Sequence, residues 1–237
     1  MQAIAFLKEL EKLRKPVILL NDIARIIGKN KEYTRIYVHR LKERGLIKEI
    51  EKGKYALSDD PFEISSNLVF PSYISFITTY FIYGFTTQIP VVIHIVCSRP
   101  KMTICLENIE INFITFKKEN IFGYKREHFR NKYIFIAEPE KAVVDSLYLP
   151  KYCPISETYE ALKSKGISQE RIIEYALRMN SIVTLKRLGY LMELNGIDIH
   201  KKVKHKLNSR YDLLNPFIKR SQTNSSRWKL NINEVFE

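Results

Sequence analysis

The stretch PVILLNDIARIIGKNKEYTRIYVHRLKERGLIKEIEKGKYAL, residues 16–57, decides how the N-terminal part of this chain folds. Lys15-Pro16 closes the preceding segment, and residues 16–20 make a short extended link. Asn21 or Asp22 then caps a short helix, DIARII, which Gly28 stops. Lys29-Asn30 is the turn. A longer helix runs over 31–44 until Gly45 ends it, and the alternating LIKEI and KYAL segments, joined by Glu51-Lys52-Gly53, predict a β-hairpin. Upstream, residues 3–14 carry Ile4, Leu7, Leu10 and Leu13 on one helical stripe. Helix, short helix, glycine turn, longer helix and basic hairpin is the order of a winged helix-turn-helix. In that fold the second helix of the pair enters the major groove and the hairpin lies along the DNA backbone or minor groove.

Helical periodicity makes Thr34, Tyr37, Val38 and Leu41 the buried stripe of the longer helix. Glu32, Arg35, Ile36, His39, Arg40 and Glu43 then face outward. The expected DNA contacts are Lys31, Glu32, Arg35, Ile36, His39 and Arg40 on this helix, with Lys52 and Lys54 on the hairpin. Arg35 is placed for a bidentate guanine contact, His39 for a neighbouring base or phosphate, and Ile36 for a thymine methyl. Lys52 and Lys54 suit phosphate or a minor groove, whereas Lys29, Lys31 and Arg44 suit the backbone. Tyr33 reads either as core edge or as phosphate donor.

Charge follows the same division. Residues 1–58 hold 14 Lys+Arg against 7 Asp+Glu, residues 59–199 hold 16 against 16, and residues 200–237 hold 9 against 3. The net charge of +13 therefore sits at the two ends, the footprint expected of a chain that neutralises phosphates. The most apolar run, residues 73–85, is interrupted by Ser75, Thr78 and Thr79, so no membrane span is expected. The N-terminus has acids among its apolar positions, unlike a secretory signal, and the cytoplasm is the expected location. Cys97, Cys105 and Cys153 have neither paired nor C-x-x-C spacing and read as small buried hydrophobes.

Beyond the hairpin, residues 59–70 read as a polar, Pro-bracketed connector. An apolar helix is expected over 72–83, ended by Gly84. Strands follow over 91–96, 102–106 and 109–116 as an antiparallel meander, with another over 133–136. Helices are expected over 141–149, 157–164, 168–179 and 181–195. The predicted class is thus α+β: an N-terminal winged helix-turn-helix (1–58), the connector (59–70), a small mostly antiparallel sheet with a C-terminal helical bundle (71–199), and a basic C-terminal segment (200–237). In that last segment Lys201, Lys202, Lys204, Lys206 and Arg210, interleaved with Tyr211, Phe217 and Trp228, form a candidate second nucleic-acid contact. Packing of Leu213, Leu214 and Phe217 onto the preceding domain is the competing reading.

Enzymatic signatures are absent: there is no G-x-S-x-G, H-E-x-x-H, Walker or dinucleotide glycine motif. The five histidines include no pair one helical turn apart. No catalytic residue, metal site or cofactor is expected. Glu138, Glu140 and Asp145 imitate a metal-nuclease carboxylate set, but Glu110 and Lys141 do not supply the strand and lysine geometry such a site needs. Instead, Glu138 and Glu140 suit the start of a helix, where acids complement the dipole.

A winged helix ending in GKYAL, then PSYISFITTYFIYGFTTQIP, a strand meander, FIAEPEKAVVDSLYLP and LKRLGYLMELNG, in that order, resembles the AbiEi antitoxin family of type IV toxin-antitoxin systems. The resemblance covers nearly the whole chain, and the basic run over 200–229 is its departure from the family pattern. It implies a transcriptional regulator that binds double-stranded operator DNA, expected as an inverted repeat, and represses its own operon. It also implies a second domain that counteracts a nucleotidyltransferase toxin, with direct contact not assumed. Two other classes compete with it. One is a winged-helix repressor with a ligand-sensing second domain, which a cavity enclosed by the sheet and the 73–83 helix would support. The other is a metal-dependent nuclease.

Overall fold

The computed structural model describes residues 3–236. Its first elements are α1 (Ala3–Lys12), β1 (Val17–Leu19), α2 (Leu20–Ile27), α3 (Lys31–Glu43), β2 (Lys48–Glu51) and β3 (Lys54–Ala56). Local chemistry sets the boundaries. Gly28, at φ +64°, ends α2, and the Asn30 side chain caps α3 by accepting from the Tyr33 amide at 2.9 Å. Asp22, three residues into α2, caps that helix by accepting from the Leu19 amide at 3.3 Å. The extended link is a true strand: β1 pairs antiparallel with β3, giving the order β1-β3-β2. Phe6, Leu10, Ile18, Ile23, Val38, Leu41, Ile47 and Tyr55 form a core of their own. The expected α1 stripe shifts, because Phe6 packs edge-on against Tyr37 at 5.2 Å while Ile4 is left 72% exposed. Tyr37 is accordingly half-buried rather than fully inside.

The segment read as a connector is instead α4 (Pro61–Asn67). Asp60 caps it by accepting from the Glu63 amide at 2.8 Å, and Pro61, which looked like a break, occupies the first turn, where its missing N–H costs nothing. Next come β4 (Ser72–Ile74) and α5 (Phe76–Tyr83), so the single helix expected over 72–83 is a strand and a helix joined at Phe76, whose φ is +61°. Then follow β5 (Val92–Cys97), β6 (Ile104–Leu106), β7 (Ile109–Thr115), β8 (Tyr124–Phe129) and β9 (Lys132–Ala137). These strands form one sheet in the order β6-β7-β5-β4-β9-β8. The fold is α+β, but the expected meander is not continuous: β5 runs parallel to β7, and β4 parallel to β9. The link after β5 carries the chain past its neighbour, so β6 takes the edge and β7 returns between them. Cys97 and Cys153 are buried as expected, whereas Cys105, on that edge, is exposed.

Helices α6 (Pro139–Tyr148), α7 (Ile155–Leu162), α8 (Gln169–Arg178) and α9 (Ile182–Leu194) cover one face of the sheet, packing with Tyr73, Val96 and Ile114. The other face, through Ile74, Ile93, Ile95, Ile111, Ile134 and Ile136, packs with Phe62 and Ile64 of α4 and with Ala56 of the hairpin. The N-terminal unit therefore leans on the second unit through β3. The chain ends with α10 (His200–Val203), a 3-10 turn, and the short strands β10 (Asp212–Leu213), β11 (Asn224–Ser225) and β12 (Leu230–Asn231). Among the described residues, no helix is long and apolar enough to cross a membrane.

Candidate nucleic-acid interface

The face of α3 opposite its buried Thr34, Val38 and Leu41 presents Lys31, Glu32, Arg35, Ile36, His39 and Arg40, all exposed. Among the described residues, the side chains of Lys31, Arg35, His39 and Arg40 make no hydrogen bond or ion pair. Ile36 is 55% exposed between them. The helix beneath is rigid: Tyr33 stacks on Tyr37 at 6.5 Å, Tyr37 abuts Phe6, and Thr34 donates to the Asn30 carbonyl at 2.7 Å. Four side chains, Lys31, Arg35, His39 and Arg40, thus project from about 14 Å of helix with their polar ends available to a partner.

The hairpin uses its charge differently. Lys52 at the tip is exposed. Lys54 departs from expectation: its ammonium donates to the Leu68 carbonyl at 3.0 Å and lies 3.2 Å from Glu51, so it is held by the protein. Glu51 also pairs with Lys101, and Lys48 pairs with Glu107 at 2.7 Å, which ties the hairpin to the large sheet. Burial pushes the Glu51 carboxyl up, but the flanking Lys101 and Lys54 ammonium groups more than offset it and leave the group below its ordinary value. Sequence reasoning missed this docking because Lys101 and Glu107 lie in another part of the chain.

At the C-terminus Lys201, Lys202, Lys204, Lys206 and Arg210 are exposed, on α10, the 3-10 turn and the link beyond it. Arg210 lies 3.4 Å from Asp212. The aromatic part of that reading changes. Trp228 is fully buried against α9, where a side chain on Gly189 would meet its ring at 2.0 Å, so it offers no stacking surface for a base. Two buried cations of α9 anchor the segment: Lys186 pairs with Asp212 at 2.7 Å, and Arg187 donates to the Leu147 carbonyl at 2.8 Å and the Leu213 carbonyl at 3.2 Å. Leu214, Trp228 and Leu230 join the main core, so residues 200–236 are an integral layer of the second unit.

The carboxylates of α6 do not converge on an open site. Glu138 accepts from the Tyr175 hydroxyl, and Glu140 accepts from the Ser168 amide at 2.8 Å. Asp145 is fully buried, pairs with Lys141, and accepts from the Ser75 hydroxyl at 2.8 Å and the Tyr73 hydroxyl at 3.2 Å. Lys141 lies within a ring of aromatics, 4.7 Å over Phe122 and 5.3 Å over Phe116. Burial pushes the Lys141 ammonium below its ordinary value and the Asp145 carboxyl above, outweighing in each case what the partner restores. Glu110 is exposed on β7. Among the described residues, no three His, Cys, Asp or Glu side chains are grouped to hold a metal. The interior beneath α5 is filled by Tyr73, Phe76 and Tyr80, all fully buried, where a ligand cavity was one expectation.

No protein-family model matches the chain, and no curated protein matches it. Among solved structures, the chain is similar to the crystal structure of the RV2827C protein from Mycobacterium tuberculosis. The TM-score is 0.61 at 13% identity, over 94% of this chain and 88% of that one. At that identity the likeness concerns the fold, and it extends through both units.

Proposed function

We propose that this chain is a DNA-binding transcriptional regulator whose N-terminal unit is a winged helix-turn-helix with α3 as its recognition helix. One observation carries the reading: Lys31, Arg35, His39 and Arg40 project from the exposed side of a well-braced helix and make no hydrogen bond or ion pair among the described residues. Elsewhere in this unit Lys42 is taken up by Glu49 and Lys15 by Asp22. An unpartnered cationic face at the start of a groove-sized helix is the arrangement that duplex DNA completes. Arg35 reads a base edge, His39 a base or phosphate, Ile36 a thymine methyl, and Lys31, Arg40 and Lys52 position the backbone.

The resemblance of the segment order to the AbiEi antitoxins supports a finer reading. In it the operator lies ahead of the chain's own operon, and the second unit counteracts a nucleotidyltransferase toxin encoded beside it in the cytoplasm. DNase footprinting of the full chain on the DNA upstream of its own gene tests the regulator reading. A protected inverted repeat is expected, and protection no better than on random duplex contradicts it. Co-expression of the full chain with a neighbouring nucleotidyltransferase tests the antitoxin reading by growth rescue, and unrelieved toxicity contradicts it.

A further inference from the structure

Two adjoining hollows, of about 610 and 670 Å³, lie between the N-terminal unit and the β8–β9 edge of the large sheet. Their size falls within the usual range of small-molecule pockets. They share Arg14, Lys15 and Pro16 from the link between α1 and β1, and Arg126 from β8. No residue of α3 lines either one, so the cleft is distinct from the face proposed for DNA.

The cations here are of two kinds. Lys15 pairs with Asp22, and Lys132 with Glu63. The side chains of Arg14 and Arg126, one from each unit, have no hydrogen bond or ion pair among the described residues. Arg126 lies 4.2 Å over the Tyr133 ring, a cation–π contact that restrains the guanidinium without using its N–H groups. Arg14 sits just past α1 at φ +50°, a left-handed position where glycine would be unstrained. No side-chain hydrogen bond or ion pair among the described residues offsets the backbone cost of an arginine there. Beside this pair Phe70 is 74% exposed and packs edge-on to Phe135 at 6.3 Å, giving the first hollow an aromatic wall. Open guanidinium edges next to an open aromatic face suit a flat ring that carries phosphates.

We propose that this interdomain cleft binds a nucleotide, with Arg14 and Arg126 gripping its phosphates from opposite sides and the base packing on Phe70 and Phe135. Because the link at residues 14–16 leads straight into β1 and α2, occupancy bears on how the unit carrying α3 is seated. That consequence, unlike the binding itself, rests on the DNA-binding reading.

Isothermal titration calorimetry of the full chain without DNA tests the binding, using the four ribonucleoside triphosphates and inorganic pyrophosphate. Saturable binding of a triphosphate is expected, with pyrophosphate at least tenfold weaker. Arg14→Gly and Arg126→Ala should each lose tenfold or more. Glycine is at ease at φ +50°, so the first variant keeps its fold, and circular dichroism verifies the second. No saturable triphosphate binding, pyrophosphate as tight as any nucleotide, or unchanged affinity in both variants overturns the proposal. DNA titration with and without the bound triphosphate reads the consequence. DNA affinity indifferent to the nucleotide overturns the coupling, whereas protein that binds nucleotide but no DNA overturns the DNA reading and leaves the cleft assigned.

Discussion

On α3 the side chains of Arg35, His39 and Arg40 face solvent with no hydrogen bond or ion pair among the described residues, whereas on α6 Lys141 and Asp145, one helical turn apart, are both fully buried against each other. Both helices carry cations and carboxylates, six in the 13 residues of α3 and three in the 10 of α6. A solvated, unpaired cation costs the fold little and remains available to a ligand. A buried ion pair is bound into the packing, and either half left alone is an uncompensated charge in a dry interior. Availability, rather than charge, separates a binding surface from a structural device, and it is set by which other elements come to rest against the helix. The hairpin stands between these cases, with Lys52 open and Lys54 held by Glu51 and Leu68.

The largest effect that would break this comparison lies in α6. Asp145→Ala leaves Lys141 buried without its counter-charge and removes the acceptor for Ser75 and Tyr73, so it should cost about 3–5 kcal/mol in urea unfolding. Replacing both partners, as Lys141→Met with Asp145→Leu, should recover much of that loss. A single variant as stable as the parent would show that the pair is not integral to the core.

Next in size is an effect of pH in the same unit. Burial between the Phe76 and Tyr152 rings lowers the His94 imidazole to about 4 from its ordinary 6.5. The unfolded chain takes up this proton first as pH falls. The contribution of His94 is therefore intact above its ordinary value and is lost progressively down to about 4. Over that window it amounts to about 3 kcal/mol. His94→Gln should flatten the fall in melting temperature there, and an unchanged pH profile would contradict the assignment.

A smaller effect sharpens the intermediate case. Glu51→Gln removes the charge that joins the hairpin to Lys101 and should cost about 1–2 kcal/mol, read as faster amide exchange in β2 and β3. Because the Glu51 carboxyl is held below its ordinary value, its contribution is present above the ordinary carboxylate range and lost as pH falls through the lowered one. Exchange indifferent to the substitution would mean that Ala56 packing and the Lys48–Glu107 pair seat the hairpin without Glu51.

What was legible in the sequence divides along the same line. The α3 face could be read because its signals are local: Asn30 and Gly45 bound the helix and a 3.6-residue period marks its inner side. The hairpin docking could not, since Glu51 and Lys48 meet partners 50 and 59 residues away. Helix α4 was hidden because Asp60-Pro61 serves a turn and a helix start equally well. The strand β4 was absorbed into α5 because every residue of SYI is buried, which erases the period-2 signal. Strand β8, YKREHF, lies at the sheet edge with its charges in solvent and gave no apolar alternation. The pairing of Trp228 with Gly189 depends on tertiary packing alone.

The most direct test of the account is Arg35→Ala, compared with the parent for affinity to the footprinted operator and to random duplex of equal length at one salt concentration. The exposed arginine makes no hydrogen bond or ion pair among the described residues, so stability should stay within about 0.5 kcal/mol. Operator binding should weaken by about 1–3 kcal/mol while random-duplex binding changes far less. Equal losses on both DNAs, or no operator preference in the parent, would contradict the assignment of α3 as the reading helix.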